Sequence, residues 1–212
     1  MEDTKRLLLI VDPQTDFVTG SLKVKGGQDA MDRLAYWLIT TNTKFDMIVF
    51  SEDCHPTDHC SFIENGGQFP KHCVSGTQGA DLYEPVRMAI ERYCNEKHAG
   101  LGVLVKGMLK DVEEFSALSS ESNRDEFLRI LNTNGINEIW VAGLASDYCV
   151  LDTLKDIISI TQDTADIVFL DNCTAAVDPN GPRQKEFISI LNSPDVVGIC
   201  DVQEVNKGGC NG

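Results

Sequence analysis

The chain has 212 residues, a formal net charge of −15, 42% hydrophobic residues and 24% charged residues. That length supports one domain with a full core and no need for cross-links. The acidic balance repels phosphate backbones and anionic lipid, so nucleic acid and membrane are not expected partners, whereas a neutral small molecule is.

The first apolar run, Leu7 to Val11, is too short for a signal-peptide core or a membrane span. A cytoplasmic protein is therefore expected, with its eight cysteines as reduced thiols rather than a disulfide framework. Leu7 to Val11 reads as a strand buried on both faces and ending at Asp12. A helix is predicted over 28–41, with Met31, Leu34, Trp37 and Leu38 on its inner face. A second strand over 47–50 leads into Asp53 and His55. The Gly- and Pro-bearing segment 56–78 has no sustained period and is expected to be a long functional loop.

Beyond it, 82–95 is expected to be helical in its later part. Strands follow over 101–106, 139–142, 167–170 and 196–199, with helices over 124–131, 150–158 and 183–191 and a stop at Gly135. Residues 206–212 read as a mobile polar tail, leaving 1–205 as the domain. Six apolar strands alternating with helices indicate a doubly wound α/β fold, whose right-handed crossovers put every strand C-terminus on one edge. That edge collects Asp12, Asp53, Lys106 and the turn Gly143-Leu144-Ala145-Ser146-Asp147-Tyr148-Cys149, a place where open α/β sheets bind ligands.

Cys149 falls near the start of a helix, where unpaired N–H groups and the macrodipole favour a thiolate. Taken alone, the same cysteine serves equally as a small apolar residue closing the helix start. His55, His59 and His72 lie in one 18-residue window, and Asp53 shares a strand face with His55. A carboxylate with imidazoles suits Zn²⁺, Fe²⁺ or Mn²⁺. Two alternatives stay open on spacing alone: a structural zinc site using Cys54, Cys60 and Cys73, and no metal at all.

Together these segments resemble the nicotinamidase branch of the isochorismatase-like cysteine hydrolases. The resemblance rests on Val11-Asp12-Pro13-Gln14-Thr15-Asp16-Phe17, on Asp53-Cys54-His55-Pro56-Thr57-Asp58-His59 and on Phe69-Pro70-Lys71-His72-Cys73-Val74-Ser75-Gly76-Thr77. It continues through Val105-Lys106-Gly107, Phe115-Ser116-Ala117-Leu118 and Gly143 to Val150. It implies a single-domain α/β/α fold with a six-stranded parallel sheet, a catalytic triad of Asp12, Lys106 and Cys149, and one divalent ion, zinc foremost, on Asp53, His55 and His72. His59 matches a fourth ligand used in some members, with Glu64 the weaker candidate. A cis peptide is implied at Leu144–Ala145, an oxyanion hole at the N–H groups of Ala145 and Cys149, and aromatic walls at Phe17, Phe69 and Phe115.

The implied reaction is hydrolysis of nicotinamide, and of related amides such as pyrazinamide, in NAD salvage. Asp12 would take the Cys149 proton, Lys106 would stabilise the thiolate, and a thioester would then be hydrolysed. Asp147 is expected to cap the nucleophile's helix. Cys54 and Phe115 stand where the family commonly has an aromatic and a tyrosine. Extra residues lie before Phe115 and around 91–100, and these bear on pocket size and on homo-oligomer contacts. Two other readings remain: a metal-free amidase for carbamoyl or ureido compounds, and a phospho-accepting signalling module built on Asp12, Asp53 and a lysine.

Overall fold

The computed structural model describes residues 4–162 and 164–205. The expected tail over 206–212 lies outside the described residues. In chain order the elements are β1 (Arg6–Val11), α1 (Thr15–Val18), α2 (Gly27–Thr40), β2 (Met47–Asp53), α3 (Glu84–Lys97), β3 (Gly100–Lys106) and α4 (Glu121–Asn134). They are followed by β4 (Glu138–Gly143), α5 (Cys149–Thr161), β5 (Asp166–Leu170), α6 (Pro182–Leu191), β6 (Val196–Cys200) and α7 (Val202–Val205). The six strands form one sheet in the order β3-β2-β1-β4-β5-β6, and every neighbouring pair is parallel.

The central strand shows why both faces are covered. Leu8 and Ile10 point into a core built with Met31, Leu34 and Trp37 of α2 and Ile90 and Tyr93 of α3. Leu7, Leu9 and Val11 point the other way, onto Phe127 of α4, Leu154 of α5 and Phe187 of α6. This alternation makes a three-layer sandwich, because a strand with apolar side chains on both faces needs a helical layer on each. Fully burying one such side chain is worth roughly 1.5–3 kcal/mol.

All six expected strands are present; the helix expected over 28–41 is shifted by one residue, and those expected over 124–131 and 150–158 run longer than their apolar patterns. The helix expected over 124–131 starts three residues earlier, where Ser120 Oγ accepts the N–H of Asn123, and it stops at Gly135 with φ 62°. Polar first turns carry no apolar period, so the cap sets the boundary rather than the pattern.

The chain runs outward from β1 through β2 to β3, then returns to the opposite side of β1 as β4. Asp12 follows β1, Asp53 ends β2, Lys106 ends β3, and the Cys149 turn follows β4, so all four meet at the switch in strand order. Asp53 and Lys106 are register partners, as are Val11 and Gly143. Gly143 has φ 126°, and a Cβ there would lie 2.1 Å from the Val11 carbonyl oxygen, so only glycine lets the strands close at this point.

Among the described residues no helix is long and apolar enough to cross a membrane. Cys54, Cys60, Cys73, Cys94, Cys149 and Cys173 are free thiols. Cys200 is disulfide-bonded, which corrects the expectation of a wholly reduced set at that position.

Candidate active site

Lys106 is the hub of a buried cluster. Its Nζ lies 2.6 Å from Asp53 Oδ1, 3.0 Å from Asp12 Oδ2 and 3.7 Å from Cys149 Sγ. All four side chains are at most 6% exposed. Asp12 is fixed by Ser51, whose hydroxyl donates to Asp12 Oδ1 at 2.6 Å and accepts the Asp12 N–H at 3.1 Å. Asp12 itself has φ 44°, a left-handed conformation that aspartate tolerates better than most residues. Its Oδ2 is buried beside the Lys106 ammonium, and the Cys149 thiol hydrogen-bonds the same carboxylate. The Asp12, Asp53 and Cys149 ligand atoms lie within 4.8 Å of one another.

The protonation states follow from burial and from two carboxylates sharing one ammonium. Burial pushes the Asp12 carboxyl up and Asp53 adds to that, with Lys106 and Ser51 opposing, so it stays above the usual carboxylate range. Burial also opposes ionisation of Asp53, but Lys106 and His55 outweigh it and hold that carboxyl well below its usual value. Burial disfavours the Lys106 charge, yet Asp12 and Asp53 keep its ammonium well above normal. For Cys149, burial pushes the thiol well up; Lys106 pulls it down, and Asp12 and Asp53 add to the rise. The resting cysteine is therefore a thiol. The helix start and Lys106 do not by themselves produce the expected thiolate, because the sulfur is buried and Asp12 and Asp53 also face it.

Beside the cluster, the ligand atoms of Asp53, His55 and His72 also lie within 4.8 Å of one another, all buried. His55 Nδ1 is 2.9 Å from the Gly107 carbonyl and His72 Nδ1 is 2.8 Å from the Pro70 carbonyl. A carbonyl only accepts, so each Nδ1 carries a proton. Against its burial, Asp53 raises the His55 imidazole, and burial lowers that of His72; in the neutral form each ring offers an Nε2 lone pair as a ligand. His55 Nε2 is buried with no partner, 3.6 Å from Asp53 Oδ1. An orphaned buried imidazole nitrogen with a carboxylate, both oriented by outer hydrogen bonds, is the donor set of a divalent-metal site. Gly107 backs it closely, since a Cβ there would lie 2.5 Å from the His55 ring.

His59 is not brought into this group. Its Nδ1 accepts the Ser61 N–H at 3.2 Å, so Nε2 carries the proton and donates to the Val112 carbonyl at 3.0 Å. Its ring instead stacks on His55 at 4.0 Å. Glu64 is exposed and paired with Lys71 at 2.8 Å. Neither Cys54, Cys60 nor Cys73 belongs to a ligand group among the described residues.

A pocket of about 410 Å³, open mouth included, leads to Cys149, and Phe17, Phe69, Phe115 and Tyr148 are among its walls. That is the scale of a site for one small ring. Phe69 meets Phe115 and Tyr148 edge-on, at 6.4 and 5.5 Å between ring centroids. The peptide bond Leu144–Ala145 is cis, as the resemblance implied. Ala145 and Cys149 both line the pocket, and among the described residues neither N–H has a backbone acceptor outside its own helix.

Several contributors were not singled out in the sequence. Ser51 had a readable signal, since it lies two residues before Asp53 on the same strand and so on the same face. Gln14 closes the β1–β2 edge by donating to the Asp53 carbonyl and accepting the Asp53 N–H, at 2.7 and 2.8 Å. Glu113 and Tyr148 line the pocket beside expected residues. Asp147 does not cap α5. Its carboxylate accepts the N–H groups of Val177 and Asp178, at 2.9 and 2.8 Å, and so ties a distant loop to the nucleophile turn.

An isochorismatase-domain model matches residues 6–197. The nicotinamidase/pyrazinamidase of Mycobacterium tuberculosis is 34% identical over 157 residues, which are 71% of this chain and 77% of that protein. The structure of PnC1 from L. infantum in complex with nicotinate superposes with a TM-score of 0.74, at 29% identity and 94% coverage of each chain. A Pyrococcus horikoshii pyrazinamidase in complex with zinc gives a TM-score of 0.72, at 25% identity, over 93% of this chain and 99% of that one. The chain belongs to the isochorismatase-domain family.

Proposed function

We infer that this protein is a nicotinamidase, a cysteine amidohydrolase that converts nicotinamide to nicotinate and ammonia in NAD salvage. One observation carries the reading: the buried Lys106 ammonium touches Asp12, Asp53 and Cys149 at the end of an aromatic pocket. Known relatives support the substrate, among them the L. infantum protein in complex with nicotinate.

In the proposed mechanism the carboxamide lies over Cys149 with its ring between the aromatic walls. The Cys149 thiol passes its proton to Asp12 as the sulfur attacks the amide carbon. The developing oxyanion is received by the N–H groups of Ala145 and Cys149. Asp12 returns the proton to the departing amine, which leaves as ammonia and gives a thioester on Cys149. Water then attacks the thioester, Asp12 takes its proton, and the sulfur leaves and is reprotonated as nicotinate departs. Lys106 keeps its charge throughout and balances whichever of Asp12 or Cys149 is anionic.

Asp53, His55 and His72 would hold a divalent ion, for which zinc is the best match to the donor set. When bound, that ion supplies Lewis-acid coordination for a ring nitrogen or for water. The carboxylate–imidazole set also favours this reading over a metal-free carbamoyl amidase. The reading includes a cytoplasmic setting and a small-molecule amide as partner, the latter supported by the acidic charge, which disfavours nucleic acid and anionic membrane. It is tested by incubating zinc-loaded protein with nicotinamide, where nicotinate and ammonia should appear in equal amounts. Absence of both would refute it.

A further inference from the structure

Arg183, in the first turn of α6, reaches back across the nucleophile turn. Its Nε donates to the Asp147 carbonyl at 2.6 Å and its Nη2 to Asp152 Oδ2 at 2.9 Å. Those two acceptors lie on either side of Cys149 in sequence, one before α5 and one in its first turn. The guanidinium carbon lies 5.0 Å from the Tyr148 ring centroid and 5.3 Å from that of Phe115. Both rings line the Cys149 pocket and pack on each other at 5.3 Å. The next residue, Gln184, accepts the Ser146 hydroxyl at 2.8 Å, so α6 grips the turn at two successive positions.

We propose that Arg183 is a positioning residue that sets the aromatic wall of the pocket, and thereby the enzyme's preference for ring-bearing amides. This deepens the nicotinamidase reading and rests on it for the identity of the ring. The guanidinium has a planar face and a donor edge, and here they do different work. The edge fixes the arginine to backbone and carboxylate at the start of α5, and the face holds two rings by cation–π attraction. Phe115 comes from a loop and Tyr148 from the turn before α5, and no helix or strand spans both. Arg183 lies over both rings and is itself hydrogen-bonded to the start of α5, so it couples Phe115 to the framework carrying Tyr148 and Cys149. Lysine cannot replace it, since an ammonium lacks both the fork and the stacking face.

The test compares alkylation of Cys149 by iodoacetamide and by its N-benzyl derivative, read at the Cys149 peptide by mass. In Arg183→Ala the ratio of benzyl to parent rate should fall about threefold or more, the effect of losing a cation–π contact at a partly exposed site. The parent iodoacetamide rate should hold, and Arg183→Lys should not restore the ratio. In a Phe115→Leu background the arginine substitution should add little, because the wall it acts through is already gone. Any smaller fall in the ratio, recovery in Arg183→Lys, or an undiminished effect beside Phe115→Leu would overturn the proposal. Arg183→Met keeps the aliphatic stem and gives the same readout should Arg183→Ala fail to fold. Turnover of nicotinamide by the wild type is scored separately, so loss of the nicotinamidase reading would appear there and not in the alkylation ratio.

Discussion

The Lys106 ammonium lies 2.6 Å from Asp53 Oδ1, so the cation of the cysteine cluster and the carboxylate of the imidazole cluster share one contact. The two halves of the site are thus electrostatically one. Lys106→Met should abolish turnover while leaving the divalent ion in place, bound as tightly as in the wild type or more so, since a neighbouring positive charge is gone. In metal-free protein the same substitution leaves two buried carboxylates without their counter-ion, at a cost of about 3–5 kcal/mol. Urea unfolding with and without zinc, beside metal analysis, checks both halves of the prediction. Arg in place of Lys106 should not rescue, because the buried ammonium already touches three side chains that a larger planar fork would displace.

Asp12 must be ionised to accept the thiol proton, and burial holds its carboxyl above the usual range. Activity is therefore present above that raised value and is lost as the pH falls through it. The Ser51 hydroxyl favours the ionised form by hydrogen-bonding Asp12 Oδ1. Ser51→Ala should push the acid limb of kcat/KM to higher pH, with roughly tenfold less activity below the wild-type limb, the scale of one hydrogen bond to a charged group. An unmoved limb with a uniformly lower plateau would assign the limb to another group.

His55 and Asp53 supply ligand atoms 3.6 Å apart that have no protein hydrogen bond between them. Zinc should therefore raise the thermal midpoint, with a stabilisation of about 2.7 kcal/mol at a hundredfold excess over Kd. His55→Ala should remove that response. Gly107→Ala should weaken it without touching a ligand, because its Cβ would press on the His55 ring and φ is 70° there. Calorimetry with and without zinc reads all three proteins.

Asp147 binds the Val177 and Asp178 N–H groups from a position 1% exposed. Asp147→Ala should destabilise the fold by roughly 3 kcal/mol, from two charge-assisted hydrogen bonds of about 1.5–3 kcal/mol each. Asp147→Asn keeps one acceptor oxygen and should cost less. Urea denaturation of the two variants distinguishes this anchoring role from a helix-cap role, in which the asparagine would serve as well as the aspartate.

The strands were legible because each is apolar on both faces, and the strand ends because parallel topology brings them to one edge. Asp12, Asp53, Lys106 and Cys149 could therefore be placed together from sequence, and the structure brings all four within contact. The proton balance was less legible. A lysine and a helix start argue for a thiolate, and only the distances show that two carboxylates share that lysine. His59 illustrates a second limit. Its spacing fits a ligand, but the Ser61 N–H and the Val112 carbonyl occupy its two nitrogens. Arg183 was read only as a helix start, since nothing local in the sequence shows that it reaches Phe115, 68 positions away in the chain.

The central claim is that Cys149 performs covalent hydrolysis of a ring carboxamide. Ammonia release from nicotinamide by the zinc-loaded protein, measured beside Cys149→Ala with its ion still bound, tests it most directly. The account predicts steady release by the wild type and a loss of a thousandfold or more in the variant, on the order seen when a nucleophile is removed from a concerted catalytic unit. Release that survives in Cys149→Ala would contradict it.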